Sequence, residues 1–145
     1  MGYLRFDCII ISKMNNKQDI SIYLSCKVGS VYPVRAEIRL DKYNYISKNI
    51  VDRTAELVND KEDCMYPHIY KETGEVALWF SVKNSLGEEK NIGHKDNWFF
   101  VIDEPDILIL GTPWLWLFEV SLNLRKEYLT LFDYEDKIRI HDAYS

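Results

Sequence analysis

Two consecutive runs of strict alternation, residues 20–28 and 34–40, constrain this chain more than any other feature of it. In the first, Ile20, Ile22, Leu24, Cys26 and Val28 alternate with Ser21, Tyr23, Ser25 and Lys27. In the second, Val34, Ala36, Ile38 and Leu40 alternate with Arg35, Glu37 and Arg39. Successive side chains of a strand point to opposite faces, so each run is a strand with one face in a core and the other in water. Gly29-Ser30 between them is a turn, and the pair is a hairpin.

The rest of the chain continues in strands. Asp41 sits at the exit of the second strand, in phase with its polar face. Ser47 can cap a helix whose apolar positions are Ile50, Val51, Thr54, Leu57 and Val58, and Asp52 falls in its first turn, where the helix dipole favours negative charge. Thr73-Gly74 marks a turn before a further alternating strand, Val76, Leu78, Phe80 and Val82. Residues 84–96, with Gly87 and Gly93, read as a polar hairpin loop. Residues 98–102 and 106–110 are continuous apolar runs, the first read as a strand buried on both faces. Thr112 offers a capping hydroxyl and Pro113 a first helical position for a short helix over 114–118, buried nearly all round, with Trp114 and Trp116 in the core. Residues 128–132 and 137–141 read as two final strands. Roughly seven or eight strands and two short helices make a mostly β domain, small and closed or sandwiched.

A chain of 145 residues fits a single domain over 1–145. Its net charge of −5 opposes nucleic-acid binding, and no interleaved basic and aromatic stripe offsets that balance. No stretch approaches the ~20 apolar residues of a membrane span, so no membrane partner is expected. Cys8, Cys26 and Cys64 are odd in number and widely spaced, which reads as reduced, mostly buried thiols in an intracellular protein, cytoplasmic or nuclear. No spacing joins them to His68, His94 or His141 as a metal site or a catalytic pair, so no metal and no cofactor is expected. The abrupt start and end read as a domain excised from a longer protein.

The segment Asp106-Ile107-Leu108-Ile109-Leu110-Gly111-Thr112-Pro113-Trp114-Leu115 resembles the D-[IV]-[IL]-L-G-x-x-W-L signature of retropepsin-like aspartic proteases, those of retroviruses and gypsy-type LTR retrotransposons. Four weaker pieces follow the family's order. Tyr45-Ile46-Ser47-Lys48-Asn49-Ile50-Val51 is similar to the segment after its catalytic loop, Gly74 to Trp79 to the strand after its flap, Phe99 to Ile102 to the strand before the signature, and Leu129-Thr130-Leu131 to the strand after its helix. The resemblance implies a small closed β-barrel of the acid-protease type with one or two short helices. It also implies a homodimer in which each subunit contributes one aspartate from a D-[ST]-G loop.

By alignment order the loop here is Asp41-Lys42-Tyr43-Asn44. The aspartate has a counterpart, but the hydroxyl and the glycine do not. A working dyad holds one proton between two carboxylates, whereas Lys42 favours the ionised form and Tyr43 puts a bulky ring where two loops must meet. The segment from Met65 to Gly74, with Pro67 and His68, is short for a flap. The expectation is therefore a degenerate, catalytically silent member, retrotransposon-derived, acting as a homodimerisation or protein-interaction module. Lys42 and Tyr43 are candidate interface residues. So are Ile138 and Ile140, because family members pair their terminal strands across the dimer. The alternatives are an unconventional aspartic endopeptidase using Asp41 from each subunit, and a monomeric binding barrel whose tryptophans line a pocket.

Overall fold

The computed structural model describes residues 5–6, 22–59, 69–131 and 134–142. Cys8, Cys64, His68 and the 65–68 part of the flap segment lie outside them. The first alternating run is β2, Ile22–Val28, with its even-numbered residues buried. It pairs antiparallel along its length with β3, Tyr32–Ile38, through a turn at 29–31. Six strands then close on themselves. β3 runs parallel to β8, Leu108–Leu110, which pairs antiparallel with β4, Asn44–Ser47. β4 runs parallel to β7, Glu89–Ile102, and β7 pairs antiparallel with β6, Glu75–Lys83. β6 returns to β2 at Lys27 and Val28. The product is the expected mostly β, closed barrel.

Further strands extend the sheet beyond the ring. On the β2 side come β11, Tyr134–Asp142, then β10, Tyr128–Leu131, then β9, Ser121–Asn123, and the parallel β1, Arg5–Phe6. On the β6 side lies β5, Ile69–Tyr70. Two helices complete the described residues: α1, Lys48–Asn59, and α2, Thr112–Leu117. Val28, Ile46, Ile50, Val76 and Phe99 are fully enclosed in the core.

Several local expectations are corrected. Residues 89–97 are strand, not loop: β7 pairs with β6 from Glu89 onward, and the turn is confined to 84–88. Asn84 makes that tight turn, its Oδ1 accepting the Leu86 and Glu88 N–H groups at 3.0 and 2.9 Å. Gly93 is strand-internal because a Cβ there would lie 2.1 Å from Trp79 Cδ1, at the point where the β6–β7 register shifts. β6 is not half-buried, since Ala77 and Ser81 are enclosed along with Val76, Leu78, Phe80 and Val82. In the 98–102 run Phe99 alone is fully buried.

At the helices, Asp52 stands one turn in and pairs with Lys48 at 3.2 Å, leaving the first turn without an acid. The Ser47 hydroxyl accepts the Ile107 N–H at 2.6 Å and donates to the Glu104 carbonyl, so it anchors the approach to β8. Gly111, not Thr112, occupies the cap position of α2. Trp114 and Leu115 are buried as expected, but Trp116 is 50% exposed.

Cys26 packs in the core without a disulfide, and burial pushes its thiol from 9.0 up to about 12. A thiol that holds its proton more tightly when folded adds stability that is complete below about pH 9 and is lost as pH rises toward 12. Cys26→Val is therefore expected to flatten part of the alkaline loss of stability, which the thiol steepens by about 1.4 kcal/mol for each pH unit climbed between those limits. Urea titrations of both proteins from neutral to strongly alkaline pH check it; parallel curves would sink it.

Candidate functional site

The β3–β8 ladder continues one residue past β3, where the Arg39 N–H donates to the Leu110 carbonyl at 3.1 Å. The chain then leaves the sheet as a loop, residues 39–43, and returns as β4. Both ends of the loop are held. The Asp41 carbonyl accepts the Thr112 N–H and the Thr112 hydroxyl, each at 2.8 Å. The hydroxyl expected to cap α2 thus ties the loop down.

At the return, Asn44 is 1% exposed and uses both ends of its amide. Its Nδ2 donates to Asn97 Oδ1 at 2.9 Å and to the Trp98 carbonyl at 3.1 Å, and its Oδ1 accepts the Gly111 N–H at 2.8 Å. Gly111 permits the approach, since a Cβ there would stand 2.2 Å from the Tyr43 carbonyl oxygen. Asn44, Asn97 and Thr112 thus fix the loop, and none was singled out for that task by pattern. Asn44 reads as one more polar residue of a turn until β8 and α2 are brought against it.

Four of the loop residues face outward. Leu40 is 52% and Tyr43 40% exposed, and Arg39 and Lys42 are exposed as well. Tyr43 stacks edge-on against Phe100 with ring centres 5.0 Å apart, and the Lys42 ammonium lies 5.4 Å from the centre of the Tyr43 ring. Among the described residues Lys42 makes no ion pair with Asp41, and its ammonium faces the Tyr43 ring instead. The Asp41 carboxylate is half-buried, and among the described residues its one hydrogen bond is a long contact with the Tyr43 N–H at 3.4 Å. It borders an open cavity of about 550 Å³, shared with Arg35, Glu37, Arg39 and Tyr45. Arg39 pairs with Glu37, and the Arg35 guanidinium lies 4.2 Å from the centre of the Tyr23 ring. This wall is charged and aromatic.

Ile138 and Ile140 are each 2% exposed. β11 pairs with β10 through Ile138 and with β2 through Ile140, so both side chains lie in this chain's own core and offer no surface to a second subunit. The turn between β5 and β6 is pinned to β7: the Val101 N–H donates to the Gly74 carbonyl at 3.2 Å, and the Lys71 ammonium sits 3.8 Å from the centre of a Trp98 ring. Among the described residues no three His, Cys, Asp or Glu side chains gather as a metal site, and no helix is long and apolar enough to cross a membrane.

No protein-family model matches the chain, and no curated protein does. Solved structures do. The retroviral protease-like domain of Ddi1 from Leishmania major matches with a TM-score of 0.52 at 17% identity, covering 83% of this chain and 91% of that one. The fold is retropepsin-like. At that identity the likeness is one of chain path. In this retropepsin-like barrel the stretch from β3 through loop 39–43 to β4, packed on Gly111 and Thr112, occupies the order of elements that the sequence motifs describe.

Proposed function

We propose that this chain is a catalytically silent retropepsin-like domain, of retrotransposon descent, that serves as a homodimerisation and protein-interaction module. The observation that carries the reading is the make-up of loop 39–43. Two carboxylates that share a proton must approach to about 3 Å, which calls for small neighbours. This loop instead presents Leu40 and Tyr43 to solvent, and the hydroxyl tied to it, from Thr112, bonds main chain. The pinned β5–β6 turn also supports silence, because a flap must be free to close over substrate.

Large apolar side chains held out on a rigid loop support a contact surface. In a two-fold pair the same loop meets its own copy, and Leu40 and Tyr43 of each subunit cover one another while Arg39, Asp41 and Lys42 supply both signs of charge. A cleft formed between two such subunits can take an extended segment of another polypeptide by strand addition. The unbridged, buried Cys26 fits a reducing compartment, cytoplasmic or nuclear.

Sedimentation at tens of micromolar tests the pairing. The expected result is a dimer that falls to a monomer in Leu40→Ser/Tyr43→Ser, whose exposed positions leave folding intact. A strict monomer for the unaltered chain overturns it. Incubation with an unfolded substrate from acid to neutral pH, beside Asp41→Asn, tests silence. No cleavage is expected from either protein, and cleavage that disappears in Asp41→Asn establishes the endopeptidase instead.

A further inference from the structure

The cavity beside Asp41 lies on the outer face of the sheet. Tyr23, Glu37, Ile109 and Tyr45 are aligned in register across β2, β3, β8 and β4, so their side chains share that face and form one row along the cavity. Their neighbours Ala36, Ile38, Ile46, Leu108 and Leu110 turn the other way and are buried in the core. Ile107, two residues before Ile109, continues the outer face, and with Tyr45 it gives the floor half-buried apolar surface.

The charges along this groove do not balance. Glu37, Asp41, Glu104 and Asp106 set four carboxylates against the two guanidinium groups of Arg35 and Arg39. Both arginines are held, Arg39 by Glu37 and Arg35 over the Tyr23 ring. Asp106 is engaged by Asn49, whose Nδ2 donates to Asp106 Oδ1 at 2.8 Å and whose Oδ1 accepts the Asp106 N–H at 3.0 Å. Asp41 and Glu104 remain, and neither joins an ion pair among the described residues. Lys42 does not line the groove, since its ammonium faces the Tyr43 ring. The two free carboxylates belong to residues beyond opposite ends of β8. The Asp41 carbonyl is bonded to Thr112, after that strand, and the Glu104 carbonyl to Ser47, which the β4–β8 ladder sets before it.

We propose that this groove binds an extended polypeptide segment with a basic side chain at each end and apolar residues between them. The proposal rests on the reading of this chain as a protein-interaction module and names the chemistry of its partner. The basic groups meet Asp41 and Glu104, and the middle of the segment lies over Tyr45 and Ile107. β8 is three residues long, about 10 Å, so side chains that reach past both its ends stand about four positions apart in an extended partner. The excess of carboxylates on a concave wall attracts such a segment and repels an acidic one.

Three acetylated and amidated pentapeptides test it: Lys-Val-Ala-Val-Lys, and its counterparts with Gln or with Glu at both ends. Amide NMR spectra of the whole chain are followed as each is added. The lysine peptide is expected to shift Glu37, Tyr45 and Ile109 at millimolar concentrations, the glutamine peptide to bind about tenfold more weakly, and the glutamate peptide not to bind. Asp41→Asn and Glu104→Gln keep shape and remove charge, and each is expected to weaken the lysine peptide about threefold. Equal binding of the lysine and glutamine peptides, tighter binding of the glutamate peptide, or no shifts with any of them overturns the proposal. Sedimentation and mass spectrometry of the same samples keep this apart from the module reading. A dimer that ignores all three peptides sinks the groove alone. A lysine peptide recovered in pieces sinks catalytic silence, while the ratio between peptides still decides the groove.

Discussion

Gly111→Ala is expected to lower stability by about 3 kcal/mol, which for a domain of this length is about 10 °C in Tm. The new methyl would stand 2.2 Å from the Tyr43 carbonyl oxygen, 2.8 Å from its carbon and 3.0 Å from the Asp41 carbonyl oxygen. All three are main chain, so no side-chain rotation can relieve the clash. Relief by moving residue 111 breaks its N–H bond to Asn44 and the two bonds its carbonyl accepts from the Trp114 and Leu115 N–H groups. Relief by moving the loop detaches Asp41 from Thr112. Chemical denaturation should show the loss with an unchanged slope, and sedimentation should show weaker pairing, because Leu40 and Tyr43 ride on the displaced loop. A loss under about 1 kcal/mol would show that loop 39–43 does not pack against Gly111.

The parts of the fold that strand periodicity carries were legible. The hairpin of β2 and β3 follows from alternation alone, since only one face of each strand is in the core. The 106–115 motif located β8 and α2 together. Periodicity failed where both faces of a strand are covered or where pairing recruits polar residues. β7 from Glu89 to Asn97 has little apolar content and is held as a strand because β6 pairs with it over Glu89–Gly93 and again from Trp98 after a register shift. β4 is only four residues long, and its Asn44 is enclosed by groups distant in sequence, Asn97, Trp98 and Gly111. Position misled as well. The terminal strand offered Ile138 and Ile140 as contact residues, but alternation cannot say which of two possible cores an apolar face joins.

Asn44→Leu keeps the volume of the side chain and removes its hydrogen bonds, and we expect it to cost about 4 kcal/mol. Three groups lose their partner at once: Asn97 Oδ1, the Trp98 carbonyl and the Gly111 N–H. Asn97 already has an Nδ2 without a partner among the described residues and is 1% exposed, so its whole amide would be left buried and unbonded there. Asn44→Asp separates charge from shape. Its carboxylate can still accept the Gly111 N–H but cannot donate to Asn97 or Trp98 unless protonated. Burial then raises its folded pKa above the ordinary aspartate value of about 3.9. A raised pKa means that the acid form is the stable one, so this variant should be most stable in acid and lose stability as pH rises through the folded pKa. Denaturation curves from acid to neutral pH are expected to show Asn44→Asp approaching the unaltered protein at low pH and falling away toward neutrality, with Asn44→Leu parallel to the unaltered protein throughout. If Asn44→Asp is parallel too, residue 44 meets water and the loop is not anchored through it.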